Sequence, residues 1–354
     1  MANYKDLHGF QIKHRSSDPS NPIKGEIWYN TTTQTLKGYQ SKGAAWESSN
    51  NLNTGRHDGR AMGAQGAAMS VGGSSSDNPV SQATEDYDGS SWTSGPNLNT
   101  GRATFGISQA GTQTAAFIAA GQGPAVPGNS NATEEFDGSS WTAGNNYPIA
   151  SVIGGTGTLT AGLGFSGYTS PGQNYRNVSA EYDGTNWTTG NNINTSRSRM
   201  QGVGTQTATI AAGGFLPGDT NSNNCESYNG TTWTNTPNLT STYDLAGYFG
   251  IQTAAIHFGG KTDTQNNTPS TGITTTSYWN GSSWSNVSAT LSTGKSRQHA
   301  AGTAVTAGLS AGGNSNSNTT EEYNDPAFGI RTWDTTWRII KQYLEKRLSF
   351  LLRI

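Results

Sequence analysis

The phrase Tyr87-Asp-Gly-Ser-Ser-Trp92 returns four more times along this chain of 354 residues. The other copies are Phe136-Asp-Gly-Ser-Ser-Trp141, Tyr182-Asp-Gly-Thr-Asn-Trp187, Tyr228-Asn-Gly-Thr-Thr-Trp233 and Trp279-Asn-Gly-Ser-Ser-Trp284. Their closing tryptophans lie 49, 46, 46 and 51 residues apart, and Trp46 stands another 46 residues upstream of Trp92. Asp-Gly and Asn-Gly are strong hairpin signals, because a two-residue turn needs positive φ. Each phrase therefore predicts a β-hairpin that joins an aromatic strand to a Trp strand.

The rest of each period also keeps one order. A polar loop such as Asn97–Arg102 leads into a strand of small residues, and a second strand such as 204–214 ends in a glycine pair. Strands rich in Ala and Gly suit positions near a central axis, and the aromatic rings fill the wider space between neighbouring units. A period of about 47 residues is typical of propeller blades. We therefore predict an all-β protein, a β-propeller of six blades over residues 49–333.

The segment before the first full period leaves the blade count open. Gly25–Asn30 and Thr35–Tyr39, followed by Trp46, predict one more hairpin of the outer-strand type. This hairpin within residues 1–48 either closes the ring by joining the last blade or serves as a docking element. Seven blades is therefore the alternative count.

Composition narrows the class of function. The formal net charge is −2 and only 12% of residues are charged, which disfavours nucleic acid as a partner because phosphate binding needs clustered Lys and Arg. The 10 Trp, 14 Tyr and 10 Phe provide a core and argue against disorder. The chain has no stretch of about 18 apolar residues, so the sequence predicts no membrane-spanning helix. The five His show no metal-ligand spacing and no nucleophile motif is present, so we expect no cofactor, no metal and no enzyme activity.

A glycine pair followed by a spaced Tyr and Trp resembles the kelch motif, over roughly residues 40–333. This resemblance implies a propeller; kelch propellers include binding proteins and also some enzymes, so a kelch-type enzyme is one alternative. The Asn/Thr/Gly-rich composition and the segment Gly25–Tyr39 are also similar to those of kelch-like proteins encoded by marine bacteriophages, which are found in virions and tail fibres. That resemblance implies a structural or adhesive component on the surface of an extracellular particle. A free carbohydrate-binding propeller is the other alternative.

Two sets of residues are candidate sites. Arginines recur at the loop before the inner strand in four periods, where they would ring the mouth of a central channel and hold an anionic sugar or a carboxylate: Arg56, Arg102, Arg197 and Arg297. The alternative is structural, because glutamates recur two residues before the repeat aromatic and would pair with them: Glu85, Glu134, Glu226 and Glu321.

The second set lies in residues 334–354, which contain no Gly, Pro or Asn. An apolar stripe with a spacing of three or four residues predicts an amphipathic helix. Its members are Trp337, Ile340, Leu344, Leu348 and Leu351. We expect this helix to dock against other virion proteins; packing on the same chain and membrane contact are the alternatives.

Overall fold

The computed structural model describes residues 13–19, 26–40, 43–107, 109–124, 128–171, 174–262, 272–325 and 329–333. Contacts divide the chain into two compact units. One unit is Ala44–Asp325, and the other combines Met1–Gly43 with Pro326–Ile354. The predicted terminal helix and its five apolar residues lie outside the described residues.

Six antiparallel sheets, five with four strands and the third with five, make up most of the described part of the larger unit. In each sheet four strands lie side by side from the inner to the outer edge. The first sheet contains Arg60–Ala64, Ala67–Val71, Thr84–Tyr87 and Trp92–Ser94. The second contains Gly106–Ile107, Ala116–Ala119, Thr133–Phe136 and Trp141–Gly144. The third contains Val152–Thr158, Ala161–Thr169, Ser179–Tyr182 and Trp187–Thr189, with a short fifth strand, Asn174–Tyr175. The fourth contains Gln201–Thr205, Ala208–Ala212, Cys225–Tyr228 and Trp233–Thr236.

The last two sheets differ in where their outer strand comes from. The fifth contains Gly247–Ile251, Ala254–Phe258, Thr276–Trp279 and Trp284–Val287. The sixth contains His299–Ala304, Ala307–Ala311 and Thr320–Asn324, and its outer strand is Ala45–Ser49 from the beginning of the chain. A two-stranded sheet of Phe215–Leu216 with Thr220–Asn221 and a 3-10 turn at Asn314–Asn316 complete this unit as described.

The inner strands contact one another in sheet order, and the inner strand of the sixth sheet contacts that of the first. They enclose a space that we call the central channel. Small residues allow this close approach: a Cβ on Gly155 would lie 2.6 Å from the backbone nitrogen of Ile107 in the second sheet. The all-β, propeller-like architecture that the repeat predicts is therefore confirmed.

The repeat tryptophans pack between successive sheets, as the sequence predicts. Trp92, Trp141, Trp233 and Trp284 are buried, and Trp46 and Trp187 are half-buried. Four of their indole N–H groups donate to a hydroxyl of the preceding sheet: Trp46 to Thr276, Trp92 to Thr320, Trp187 to Thr133 and Trp233 to Ser179, at 2.9–3.0 Å. The rings therefore supply apolar area and a fixed hydrogen bond at the same seam.

The ends of the chain are arranged differently from the sequence prediction. Trp46, not Trp333, takes the outer-strand position of the sixth sheet, where it lies opposite Tyr323. Residues Gly329–Trp333 pair instead with Thr35–Gln40. The hairpin of Ile27–Asn30 and Thr35–Gln40 exists, but it belongs to the smaller unit. The larger unit thus begins near residue 44 and ends near 325, rather than at 49 and 333, because an N-terminal strand completes the last sheet.

The smaller unit has one described sheet. Lys13–Arg15 runs parallel to Ile27–Asn30, and the other pairings are antiparallel. Asp18 accepts hydrogen bonds from the Trp28 indole, the Asn30 amide and Lys37 at 2.7–3.0 Å, which lowers its pKa to about 2. In the residues described, no helix is long and apolar enough to cross a membrane.

Candidate functional site

Three of the four predicted site arginines are buried structural residues. Arg56, Arg102 and Arg197 are at most 1% exposed. Each pairs with the glutamate of its own sheet: Arg56 with Glu85 at 2.9 Å, Arg102 with Glu134 at 2.5 Å and Arg197 with Glu226 at 3.4 Å. The same glutamates accept backbone N–H bonds from the preceding loop, for example Asn99 at 2.7 Å. Their burial argues against the ligand-binding interpretation and favours the structural alternative.

The fourth member of this buried series is a lysine rather than Arg297. Lys295 pairs with Glu321 at 3.2 Å, and both side chains are at most 3% exposed. Where the cation is missing, the carboxylate is missing as well. The third sheet has Ser151 and Ala180 at these two positions.

The fifth sheet also lacks both charges. Tyr243 and Ser277 stand at the two positions, and the Tyr243 ring packs on His257 at a centroid distance of 4.6 Å. Burial lowers the pKa of His257 to about 3, so the imidazole is neutral. Each sheet therefore has either both the cation and the carboxylate or neither, as expected when an unpaired buried charge is costly.

Arg297 lies elsewhere, in a ring of residues at one end of the channel. Asp58, Thr104, Arg199, Leu245 and Arg297 all have φ between 49° and 60°. Their backbones are linked in sequence: Thr104 N donates to Asp58 O, Asp58 N to Arg297 O, Arg297 N to Leu245 O and Leu245 N to Arg199 O, at 2.7–3.2 Å. We call these five residues the mouth ring. Such conformations are strained for residues other than glycine and cluster at binding sites.

The mouth ring carries charged side chains. Arg297 pairs with Asp58 of the first sheet at 2.9 Å, with 30% of the Arg297 side chain exposed. Arg199 pairs with Asp244 at 3.5 Å, and its guanidinium lies over the Phe215 ring at 4.6 Å. Burial raises the pKa of Asp244 to about 6, although the charges of Lys261 and Arg199 act in the opposite direction.

Arg60 lies behind the mouth ring and spans the channel. With the Gln201 amide turned so that its oxygen faces Arg60, Oε1 of Gln201 accepts from Nε at 2.7 Å and from Nη1 at 3.1 Å. Arg60 also donates to the backbone oxygens of Phe105 and Gly59. No described carboxylate lies within ion-pair distance of it, and burial lowers its pKa to about 10, partly offset by Asp58. Three of the other sheets have glycine at this position, which leaves room for the long side chain: Gly106, Gly155 and Gly247.

A second side chain crosses the channel at a deeper level. Gln109 of the second sheet donates from Nε2 to Gly302 O of the sixth sheet at 2.7 Å. Gln109 is 1% exposed. Arg60 and Gln109 therefore both cross the central channel.

The mouth has more positive than negative charge. Four cations, Arg60, Arg199, Arg297 and Lys261, lie among three carboxylates, Asp58, Asp244 and Asp219, so the difference is one positive charge. Such a set of side chains can bind an anionic group. Of these seven residues the sequence points only to Arg297. The repeat does distinguish Arg60 weakly, because three other sheets have glycine where the first sheet has this arginine.

Comparisons with known proteins address the fold. No protein-family model matches the sequence, and no curated protein matches it. The solved structure of YjhT superimposes with a TM-score of 0.64 at 11% identity, covering 79% of this chain and 99% of that chain. At this identity the likeness shows a shared all-β, propeller-like fold.

Proposed function

We propose that the chain is a six-bladed kelch-like propeller that serves as a structural or adhesive component of a phage particle, such as a tail fibre or capsid decoration. In this role it displays a non-catalytic binding surface for assembly or for a host-surface glycan. Six sheets of four or five strands, with the first and sixth inner strands in contact, support the count of six over seven. The outer strand Ala45–Ser49 supports ring closure from the N-terminal side.

The observation that carries the binding role is the unbalanced charge at the mouth. Arg60 is 5% exposed and has no described carboxylate at ion-pair distance. Removing a guanidinium from water without a counterion is costly. A carboxylate bound at the mouth lowers this cost and accepts hydrogen bonds from Arg297 and Arg199. Within the proposed role on a host-surface glycan, this charge favours a glycan that bears an acidic sugar.

The setting on a particle rests on composition and on the resemblance to phage proteins. A chain rich in Asn, Thr and Gly, with 12% charged residues, suits an extracellular particle. The terminal segments would join other virion proteins. A free carbohydrate-binding module would use the same mouth, because Ala44–Asp325 forms a compact unit of its own. Antibody labelling of purified particles in the electron microscope separates the two, and label only on particle-free protein would refute the virion role.

The binding role is tested with an array of matched acidic and neutral oligosaccharides. We expect the chain to bind acidic members, and Arg297→Gln to weaken that binding by about ten-fold or more, since a hydrogen bond to a charged group contributes roughly 1.5–3 kcal/mol. Asn229→Asp is the matched control. It lowers the net charge by the same one unit, at an exposed outer turn where three other sheets already have Asp. Equal binding of neutral and acidic sugars, or equal effects of the two variants, would contradict the proposal.

A further inference from the structure

The third sheet carries an aromatic extension beside the mouth. Its second strand, Ala161–Thr169, continues past the sheet and pairs with the short strand Asn174–Tyr175. Tyr168 and Tyr175 lie directly opposite each other, with ring centroids 6.3 Å apart and planes at 40°. Both side chains are half-buried, so each ring keeps solvent-accessible surface. Among the described sheets, only the third has a fifth strand of this kind.

Hydrogen bonds hold this extension between its neighbours. Gly167 N donates to Arg197 O at 2.8 Å and Ser166 Oγ donates to the same oxygen at 2.6 Å, which ties the base of the extension to the fourth sheet. From the second sheet, Asn129 Nδ2 donates to Tyr168 O at 3.0 Å. The backbone that carries the two rings is therefore held in place before a ligand arrives, which reduces the entropy lost on binding.

Tyr175 also lies within the electrostatic reach of the mouth. Burial raises the pKa of Tyr175; the charge of Arg199 and the Ser198 hydroxyl act to lower it, and the charge of Asp219 acts to raise it. Arg199 belongs to the mouth ring and packs on Phe215. Arg197, whose carbonyl oxygen holds the base of the extension, stands two residues before Arg199, so the aromatic surface lies near a cation of the mouth ring.

We propose that Tyr168 and Tyr175 form a stacking subsite for the pyranose ring of an acidic sugar whose carboxylate lies at the mouth ring. The inference rests on the proposed function and specifies its ligand: one sugar ring contacts the tyrosines while its acidic group contacts Arg199 and Arg297. Aromatic faces pack against the apolar C–H face of a sugar, and the phenol hydroxyls can hydrogen-bond to its hydroxyls. A carboxylate without a ring engages only the cations.

Calorimetric titration of the full chain with three kinds of probe tests this subsite. The probes are the methyl glycosides of glucuronic, galacturonic and mannuronic acid, the matching neutral methyl hexosides, and acetate. We expect at least one uronide to bind more tightly than its neutral counterpart and than acetate. Tyr175→Ala and Tyr168→Ala should weaken uronide binding by about five- to ten-fold and leave acetate unchanged.

Tyr175→Phe is the matched control, because it keeps the ring and removes only the hydroxyl. Its uronide affinity should stay within about three-fold of the original. Unchanged far-ultraviolet circular dichroism and melting temperature establish that each variant is folded. If the alanine variants bind the uronides as well as the original chain does, or lose acetate to the same extent, the subsite is refuted while the mouth site stands. If no uronide and no acetate binds, or if Arg297→Gln leaves both unchanged, the proposed function fails as well.

Discussion

Phe136 lacks a hydroxyl that its counterparts in other sheets use. The repeat tyrosine donates to a carboxylate of the preceding sheet in three places: Tyr87 to Glu322, Tyr182 to Glu135, and Tyr228 to Glu181 at 2.7 Å. Each of these carboxylates stands one residue before the aromatic of its own sheet. The equivalent carboxylate facing the second sheet is Asp86. Its Oδ1 is buried without a hydrogen-bond partner, and burial raises its pKa.

The perturbation is to rebuild the missing bond by combining Asp86→Glu with Phe136→Tyr. Asp is one methylene shorter than the Glu found at the other seams, so we expect Phe136→Tyr alone to change stability by less than about 1 kcal/mol. Asp86→Glu alone places a longer carboxylate against an apolar ring and should destabilise by roughly 1 kcal/mol. Together they complete a hydrogen bond to a charged group, which contributes about 1.5–3 kcal/mol. The double variant should therefore be more stable than the sum of the singles by that amount.

Equilibrium unfolding in urea, followed by Trp fluorescence, measures this coupling as a double-mutant cycle. The same cycle at Tyr228 and Glu181, made as Tyr228→Phe and Glu181→Asp, is the control, and it should return a coupling of similar size and favourable sign. Additivity at the engineered seam within about 0.5 kcal/mol, alongside clear coupling at the control seam, would refute the claim that this position acts as a repeated inter-sheet link.

Two other predictions concern buried charge. Glu134→Ala leaves Arg102 without its counterion and should lower the free energy of unfolding in urea by about 3–5 kcal/mol. The double variant with Arg102→Ser, which copies the residues of the third sheet, should be destabilised less than this single variant. A double variant less stable than the sum of the single changes predicts would contradict a paired structural role. Because the folded pKa of Asp244 is about 6, above its ordinary value of 3.8, the folded state binds the extra proton between these pH values, so this carboxylate makes stability fall as pH rises from about 4 to 6. Asp244→Asn should remove this contribution, so the difference in melting temperature between the variant and the original chain should change between about pH 4 and 6. A difference that stays constant over this range would contradict the prediction.

Much of the architecture could be predicted from the repeat. The Asp-Gly and Asn-Gly turns specify where chain reversal occurs, and the tryptophans at constant spacing predict the seams between sheets. In the structure, Asp88 Oδ1 accepts the backbone N–H groups of Ser90 and Ser91, and Asn229 makes the equivalent bonds with Thr231 and Thr232. These are local interactions of neighbouring residues, so the order of residues alone is enough to predict them.

The candidate site was less accessible to sequence reasoning. A periodic Arg looks the same in a sequence whether its guanidinium faces a ligand or a buried glutamate. The distinction depends on the sheet that covers it: Arg102 is 1% exposed, and Arg297, two residues after the equivalent position of the sixth sheet, keeps 30% of its side chain exposed. The offset of two residues moves the charge from the interior of a sheet to the rim of the channel.

Local sequence thus determines the strands, turns and repeat length of this protein, because these follow from backbone preferences and from alternation within a few residues. The tertiary arrangement decides which strand completes the sixth sheet, since Ala45–Ser49 and Thr320–Asn324 are far apart in the chain and pair only when the ring closes. The tertiary arrangement also decides which charged and polar side chains meet at the central channel. Arg60 and Gln201 belong to different repeats, and they meet only because the inner strands converge on a common axis.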